Sequence, residues 1–200
     1  MITVVIPTLN SERVLVPALA SLVPGSAQGL LREVILADGG STDETEMIAD
    51  VAGCAFYKGP RDLGARLRAA AQSARGNWLM FLDPSAVLEE GWTRELRAFI
   101  EKAERLGQAE KRAATFKLAF EKFGWKPRVR ETMVAARRAF GVRPRAEQGL
   151  LISKNFYRAI DAHKDGTRAQ KRLLARIGRR RIATLRARLV LHQTRSFCLD

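Results

Sequence analysis

Polar and acidic residues follow three of the predicted strands, at the points where those strands end. Pro7 and Thr8 close the first strand, Asp38 and Gly39 follow the second, and Asp83 follows the fourth. In an open α/β sheet, ligands bind beyond the carboxyl ends of the strands. A carboxylate at such a point is suited to accept hydrogen bonds from a base or a ribose, or to bind a metal ion. The alternative interpretation of residues 38–43 is a turn followed by a helix cap.

Two common nucleotide-binding motifs are missing from the sequence. No G-x-G-x-x-G follows the first strand, and no G-x-x-x-x-G-K-[ST] occurs anywhere, which argues against dinucleotide and P-loop sites. His163 and His192 lack metal-ligand spacing, so surface or packing roles are expected for both. Cys54 lies in an apolar run, far in sequence from Cys198, and is interpreted as a buried thiol in a reducing cytoplasm.

Short apolar runs alternate with helical patterns in the first half of the chain, which is typical of β-α units on a largely parallel sheet. The continuous run Ile2–Ile6 predicts a strand buried on both faces. Pro17 is expected in the first turn of the helix that follows. The other predicted strands are 33–37, 54–57, 77–82 and 148–152, the predicted helices include 63–74, 88–106 and 167–177, and 182–191 is a helix or a late edge strand.

The segment from Ala109 to Phe140 has helical spacing, with aromatic residues on one face. Phe116, Phe120 and Phe123 recur at helical intervals, and lysines and arginines flank them. An aromatic stripe edged by basic residues is suited to an anionic membrane interface. Alternatively, the rings pack on the sheet while the basic side chains are solvated.

Charge is unevenly distributed along the 200 residues, whose net charge is +14. Residues 1–100 hold 9 Lys and Arg against 12 Asp and Glu, whereas residues 101–200 hold 26 against 9. A half this basic is expected to meet phosphates on lipid headgroups, nucleic acid or a phosphorylated substrate. No apolar run approaches the roughly 20 residues of a membrane span, and the N-terminus has no signal-peptide pattern.

Four stretches carry a resemblance to a known family: VVIPTLN (4–10), VILADGGSTDET (34–45), GARLRAAAQSARGNWLMFLD (64–83) and AEQGLLISKNFY (146–157). They resemble family 2 glycosyltransferases, which have the GT-A fold. The closest similarity is to a small bacterial branch of arsenosugar-biosynthesis-type glycosyltransferases. The segment RIGRRRIATLRARLVL (176–191) also resembles the C-terminal pattern of that branch. The resemblance is dense over residues 1–83, patchy over 146–191 and absent over about 100–140.

The resemblance implies an α/β fold with a mostly parallel sheet flanked by helices and a basic helical C-terminal half. It divides the chain into a nucleotide-sugar-binding α/β half (1–106), a basic amphipathic helical segment (107–145) and the acceptor-side half of the same domain (146–200). Asp38 matches the carboxylate that meets the nucleotide base, and Asp43 matches a second acid with a structural role. The other nucleotide-binding positions implied are Pro7, Thr8, Gly39, Arg66 and Asp83.

Asp83 also matches the first acid of the D-x-D motif, which holds a divalent metal on the diphosphate in this family. Here the sequence departs from the family, because it reads Asp83-Pro84-Ser85. Divalent cations prefer charged oxygens, and a serine hydroxyl is a poor substitute. The expected cofactor is therefore a weakly bound Mg²⁺ or Mn²⁺ at Asp83, with basic side chains or helix N-termini as the alternative partners of the diphosphate.

The sequence departs from the family a second time, at the position of the catalytic base. Enzymes of this fold that invert the sugar use a carboxylate to deprotonate the acceptor hydroxyl. The family takes this acid from an E-D pair, and the matching slot is Gly166-Thr167. Asp165 lies one residue before the slot, where a helix-capping role is the alternative, and Glu147 keeps the acid of the family's G-D-Q-G. Both are candidate catalytic residues.

The resemblance therefore predicts a cytoplasmic, bacterial-type glycosyltransferase, peripheral to the inner membrane. It would move a sugar from a nucleotide-diphosphosugar to an unidentified acceptor, with a lipid-linked one among the candidates. The runner-up is a binding or scaffold protein that keeps the GT-A fold without transferase activity, since both acidic motifs are degenerate. A nucleic-acid-binding module is the third hypothesis and is not favoured, because no DNA-binding motif or aromatic platform accompanies the arginines.

Overall fold

In the computed structural model, which describes residues 1–119 and 145–192, helices flank both faces of one curled sheet. The strands are β1 (Ile2–Thr8), β2 (Leu31–Asp38), β3 (Ala55–Lys58), β4 (Trp78–Phe81), β5 (Ala86–Leu88), β6 (Ala113–Ala119), β7 (Leu150–Ser153) and β8 (Ile182–Leu191). The α-helices are α1 (Glu12–Ala27), α2 (Thr45–Val51), α3 (Leu63–Ser73), α4 (Trp92–Arg105), α5 (Lys154–Ala159) and α6 (Ala169–Ile177). Two 3-10 turns cover Ala146–Gln148 and Arg179–Arg181.

The strands of the described residues lie in the order β3-β2-β1-β4-β7-β6-β8-β5. The first four are mutually parallel, β7 is antiparallel to both β4 and β6, β6 and β8 are parallel, and β5 is antiparallel to β8. Thr8 pairs with Asp38 and Asp38 pairs with Lys58. This register brings the predicted polar residues to one edge of the sheet, and it confirms the mostly parallel α/β architecture.

The strand β1 is buried on both faces, as its continuous apolar run predicts. Val4 and Ile6 belong to the core cluster that contains residues of α1 and α4, whereas Val5 belongs to the cluster that contains residues of α3 and α6. Successive strand residues point to opposite faces of a sheet, so β1 contributes side chains to both clusters. The result is a sheet held between two helical layers.

The helix predicted over 109–140 is wrong for residues 113–119, which form β6 between β7 and β8. Phe116 lies in this strand and is 0% exposed, so its ring belongs to the core and is not available to a membrane. Phe120 and Phe123 lie outside the described residues. The C-terminal half therefore contributes three strands as well as helices.

The predicted place of Pro17 in the first turn of α1 is wrong, because α1 begins at Glu12 and both Pro17 and Pro24 lie inside it. A proline inside a helix removes one backbone hydrogen bond. The helix nevertheless buries Leu15 and Leu22 against the sheet, and Gly25 leaves room for the Trp92 ring, which a Cβ at Gly25 would approach to 2.4 Å. Tertiary packing stabilises α1 in spite of its prolines.

Residues 182–191 adopt the strand alternative, as β8, and Cys54 is a half-buried free thiol. Leu185, Ala187 and Leu189 of β8 are buried while the residues between them are exposed. Within residues 1–119 and 145–192, helices long and apolar enough to cross a membrane are absent.

Candidate active site

Asp38 ends β2 and is only 1% exposed, and its carboxylate organises the turn that follows. One oxygen accepts hydrogen bonds from the hydroxyls of Thr8 and Ser41, at 2.9 and 2.5 Å. The other accepts from the backbone N–H groups of Gly40 and Ser41, both at 2.8 Å. Thr8 is itself 0% exposed, so its side chain reaches the site through Asp38.

These contacts fix the charge of Asp38. Burial raises the pKa of the carboxyl, but hydrogen bonds from Ser41, Gly40 and Thr8 outweigh the burial and leave the pKa below its ordinary value. The carboxylate is therefore ionised at neutral pH. Gly40 has a φ of +100°, a conformation that a glycine adopts without strain and that shapes the turn around the carboxylate.

Arg66 of α3 packs directly against Gly39. A Cβ added to Gly39 would lie 2.3 Å from Nη1 of Arg66, so a larger residue would displace the guanidinium. Arg66 is 6% exposed and donates from Nη1 to the carbonyl of Arg61, but its buried Nε–H has no hydrogen-bond partner in the described structure. Burial lowers the pKa of Arg66 while the charges of Asp38 and Asp62 raise it. A buried donor without a partner costs about 1–3 kcal/mol and points to a ligand or a strained site.

Asp83 follows β4, and its Oδ1 accepts two hydrogen bonds from Ser85, from the backbone N–H at 2.9 Å and the hydroxyl at 2.6 Å. The hydrogen of the Ser85 hydroxyl is therefore donated to Asp83. Within the described residues, groups of three or more His, Cys, Asp or Glu that could hold a metal ion are absent. Since a divalent cation needs several charged oxygens, this donor set does not fit a tightly bound metal.

A cleft of about 260 Å³ opens beside Asp83, and we call it the site cleft. Its apolar wall includes Leu67 and Phe81. Pro7, at the end of β1, also lines it. The polar residues of its lining come from the loop after β4, the first 3-10 turn, and the start of α6 with the residues just before it, namely Asp83, Glu147, Thr167, Arg168, Gln170 and Lys171.

Glu147 reaches the site cleft from the 3-10 turn before β7. The turn is fixed by Gln148, whose side chain donates to the carbonyl of Phe116 at 3.1 Å and accepts from the N–H of Arg145 at 2.7 Å. Gly149 follows with a φ of +66°, and a Cβ there would lie 2.8 Å from Leu82. Glu147 itself is exposed, and no hydrogen bond or ion pair holds its carboxylate within the described part of the chain.

Asp165 is placed differently, because its carboxylate does not line the site cleft. It accepts a charge-assisted hydrogen bond from Nη1 of Arg68 at 2.7 Å, and its side chain is 68% exposed. Its backbone carbonyl accepts from Arg172 at 2.9 Å. The structure therefore brings Glu147 and Asp83 together in the lining of the site cleft, whereas Asp165 is paired with Arg68 of α3 outside that lining.

The loop that precedes α6 is docked on the N-terminal end of α3. Asp62 caps α3 by accepting from the N–H of Ala65 at 2.8 Å, and its second oxygen accepts from the N–H of Gly166 at 2.6 Å. Gly64 lets the two backbones approach, since a Cβ there would lie 2.0 Å from the carbonyl oxygen of Lys164. These contacts set where α6 begins, and so where its first side chains enter the site cleft.

A buried network that the sequence did not reveal lies behind the cleft. The hydroxyl of Tyr157 accepts from the N–H of His163 at 3.1 Å and donates to its Nδ1 at 2.8 Å, so Nε2 carries the remaining hydrogen and donates to Gln170 at 2.7 Å. Burial lowers the pKa of His163 to about 4 and raises the pKa of Tyr157 to about 12, which keeps both neutral. His163 has the packing role expected for it, and it orients Gln170, which also lines the cleft.

Comparison with known proteins adds a family and a fold. A family model described as glycosyl transferase family 2 matches residues 3–117. No curated protein sequence matches the chain significantly.

Several solved structures share the fold over nearly the whole chain. Glucosyl-3-phosphoglycerate synthase from Mycobacterium tuberculosis, in complex with Mn²⁺, UDP and glucosyl-3-phosphoglycerate, is 22% identical with a TM-score of 0.64, over 98% of this chain and 72% of that one. TarS 1–349 of S. aureus, in complex with UDP-GlcNAc, is 16% identical with a TM-score of 0.68, over 96% of this chain and 59% of that one. The likeness confirms the predicted GT-A fold.

Proposed function

The chain belongs to glycosyl transferase family 2, and from that premise we propose that it moves a sugar from a nucleotide-diphosphosugar to an acceptor hydroxyl in the site cleft. One observation carries the proposal. At one strand edge, the ionised, buried Asp38 interacts with the charge of Arg66, whose guanidinium packs against Gly39. Within the described residues, the Nε–H of Arg66 has no hydrogen-bond partner, and the carboxylate of Glu147 in the neighbouring cleft has none either. Asp38 and Arg66 are not part of the lining of the site cleft, but Pro7 and Asp83, at the same strand edge, are. A pocket with a few polar groups, next to a buried unsatisfied donor, is a strong candidate for a ligand site.

In this proposal the nucleotide base meets Asp38, and Gly39 allows the base to approach the backbone closely. Arg66 offers its free Nε–H to the nucleotide, and Pro7 and Asp83 lie on the side of the ribose and the diphosphate. Thr8 acts as a positioning residue, because its buried hydroxyl orients the carboxylate of Asp38 without reaching a ligand. The relatives crystallised with UDP and with UDP-GlcNAc support a nucleotide of this kind.

Glu147 is our proposed general base. Its carboxylate would take the proton of the acceptor hydroxyl as that oxygen forms a bond to the anomeric carbon. The bond between the anomeric carbon and the phosphate oxygen breaks, and its electron pair leaves on the nucleoside diphosphate. The ion pair between Asp165 and Arg68 argues for a structural role of Asp165. The open carboxylate of Glu147 also argues against the scaffold alternative, which the degenerate motifs motivated.

The setting of the reaction is part of the same proposal. We place the enzyme in a bacterial cytoplasm, at the anionic surface of the inner membrane, with a lipid-linked acceptor and within the arsenosugar-type branch. The net charge of +14 and the exposed arginines Arg180, Arg181, Arg186 and Arg188 support the attraction to an anionic surface. With Phe116 in the core, this part of the proposal depends on charge.

The test is donor turnover by the full chain, with water as the acceptor, across a panel of nucleotide-diphosphosugars. We expect Glu147→Gln to lower kcat about 10²–10⁴-fold, the usual contribution of a general base, and to leave the affinity for the nucleoside diphosphate unchanged. Asp165→Asn is the matched control, since it removes the same charge from an exposed ion pair, and its kcat is expected within a few-fold of the wild type.

Each contrary outcome has a distinct meaning. A normal kcat in Glu147→Gln with a large loss in Asp165→Asn would exchange their roles. Binding of nucleotide sugars by the wild type without turnover of any donor would favour the scaffold function over transfer.

A further inference from the structure

The site cleft contains two basic side chains that the family pattern did not point to. Arg168 is the N-cap residue of α6, and Lys171 lies three positions later, so both are on one face of the first turn. Both residues line the same cleft as Asp83 and Glu147. Within the described residues, no acidic side chain forms an ion pair with either of them.

Two acids of the family pattern are missing at or beside the same cleft. Ser85, next to Asp83, stands where the resemblance places the metal-binding acid, and its hydroxyl is donated to Asp83. Thr167 lines the cleft where the resemblance places the aspartate of the E-D pair, which supplies the catalytic base in the family. The cleft therefore lacks negative charge that would attract a metal ion. Its lining instead includes two positively charged residues, Arg168 and Lys171.

Both basic residues are attached to a well-fixed helix start. The N–H of Gly166 is bonded to Asp62, and the side chain of Arg68 donates to the carbonyl of His163 at 2.8 Å. One turn further on, Gln170 is bonded to the buried His163. The nine-residue α6 also directs the positive end of its dipole to the side where Arg168 and Lys171 begin. Three sources of positive potential thus converge on one wall of the cleft.

We propose that Arg168 and Lys171 bind the diphosphate of the sugar donor and replace a divalent metal in this enzyme. The inference rests on the proposed function. Two monovalent side chains supply the two positive charges of a divalent ion. The arginine fork matches two phosphate oxygens, and the lysine acts as a point charge. When the sugar–phosphate bond breaks and the electron pair remains on the phosphate oxygen, these two cations stabilise the added charge on the leaving nucleoside diphosphate.

The test compares the variant Arg168→Gln/Lys171→Gln with the control Arg158→Gln/Arg94→Gln. Both double variants lose two positive charges, but Arg158 and Arg94 are exposed residues that do not line the cleft. The probes are the 5′-diphosphates of uridine, guanosine, cytidine, adenosine and thymidine, and the corresponding nucleosides, titrated calorimetrically in EDTA. We expect the wild type to bind at least one diphosphate without metal. Its affinity should fall at least ten-fold in the cleft variant and less than three-fold in the control, with nucleoside binding unchanged in both.

A third variant, Ser85→Asp, restores an acid beside Asp83. It is expected to make diphosphate binding respond to Mn²⁺ at least five-fold more strongly than in the wild type. The proposal is overturned if the cleft variant keeps wild-type diphosphate affinity in EDTA, or if the wild type binds the diphosphate only with Mn²⁺ present.

Failure of the underlying function has a different signature. If no diphosphate or nucleoside binds with or without Mn²⁺, the nucleotide-sugar site itself is refuted, and the inference falls with it. Asp38→Ala separates the two remaining cases, since it should weaken nucleosides and diphosphates alike, whereas the cleft variant should weaken the diphosphates alone.

Discussion

The carboxylate of Asp38 has a structural role, and the proposed function assigns it a second role in binding the nucleotide base. Its two oxygens accept four hydrogen bonds that shape the turn after β2, and these bonds keep the group ionised in spite of its burial. A carboxylate fixed in this way needs little reorganisation when a base approaches it. Pre-ordered polar groups gain affinity because the cost of ordering them is met during folding.

We predict that Asp38→Ala weakens nucleoside diphosphate binding by about 1.5–3 kcal/mol, the value of a hydrogen bond to a charged group. The variant should also lose some stability, because the donors of Thr8, Gly40 and Ser41 lose their acceptor. Calorimetric titration gives the first quantity, and urea unfolding gives the second.

Asp43→Ala is the matched control for Asp38→Ala. Asp43 accepts from the N–H of Glu12 at 3.0 Å and from the hydroxyl of Thr45 at 2.6 Å, so it ties α1 to α2, and the proposed nucleotide contacts do not include it. This control should lose stability and keep its nucleotide affinity. Equal affinities in the two variants would refute the assignment of Asp38 to the base.

Local motifs explain why the strand-end residues could be predicted from sequence. Asp38 and Asp83 directly follow apolar runs, and the end of a strand is visible within a few residues of sequence. The placement of Asp165 was not visible, because its partner Arg68 is 97 positions away. Arg168 and Lys171 were hidden among many basic residues, and only the packing of α6 against α3 selects them.

At the scale of elements, the position of α6 depends on its contact with α3. The carbonyl of Lys164 approaches the backbone of Gly64 so closely that no side chain fits between them. Asp62, the N-cap of α3, and Arg68, in the middle of α3, hold the loop by hydrogen bonds. The contact with α3 therefore fixes the position of Arg168 and Lys171 at the start of α6.

Gly64→Ala tests this support. In an exposed helix interior, replacing glycine by alanine stabilises by up to about 1 kcal/mol. Here the new Cβ would lie 2.0 Å from the carbonyl oxygen of Lys164, so we predict a destabilisation of about 1–3 kcal/mol and a weaker diphosphate affinity. Urea unfolding and calorimetry measure the two effects. A variant at least as stable as the wild type would show that α3 does not support the loop in this way.

The strand β6 shows where element prediction from sequence fails. Three of the four residues 113–116 are apolar, the exception being Thr115, and all four are buried. A short apolar run fits a buried strand and a helix equally well, and the spacing of Phe116 with later aromatics favoured the helix. The strand neighbours of β6 are β7 and β8, which come more than 30 residues later in the chain. Long-range pairing decided the structure of this segment, whereas β1 and β2 were recognisable from their own sequences.

At the scale of the whole molecule, charge separates the two halves of the chain. The second half carries 26 of the 35 lysines and arginines. On β8, the residues that alternate with the buried ones include Arg186 and Arg188, and the preceding 3-10 turn adds exposed arginines. Because Phe116 is in the core, the proposed attraction to an anionic membrane depends, among the described residues, on this basic surface and not on an aromatic stripe.

We predict that the full chain binds vesicles rich in anionic lipid, does not bind neutral vesicles, and is released as salt rises. Each basic side chain near such a surface contributes about 1 kcal/mol, so Arg180→Gln/Arg181→Gln/Arg186→Gln should lower the vesicle affinity at least ten-fold. Salt release alone would follow from any net positive charge, and the decisive comparison is therefore with Arg13→Gln/Arg32→Gln/Arg94→Gln. That control loses the same charge from exposed arginines of the first half, and we expect its vesicle affinity to fall less than three-fold. Co-sedimentation at several salt concentrations measures both. Equal losses in the two triple variants would mean that the attraction is a property of net charge and that no particular surface faces the membrane.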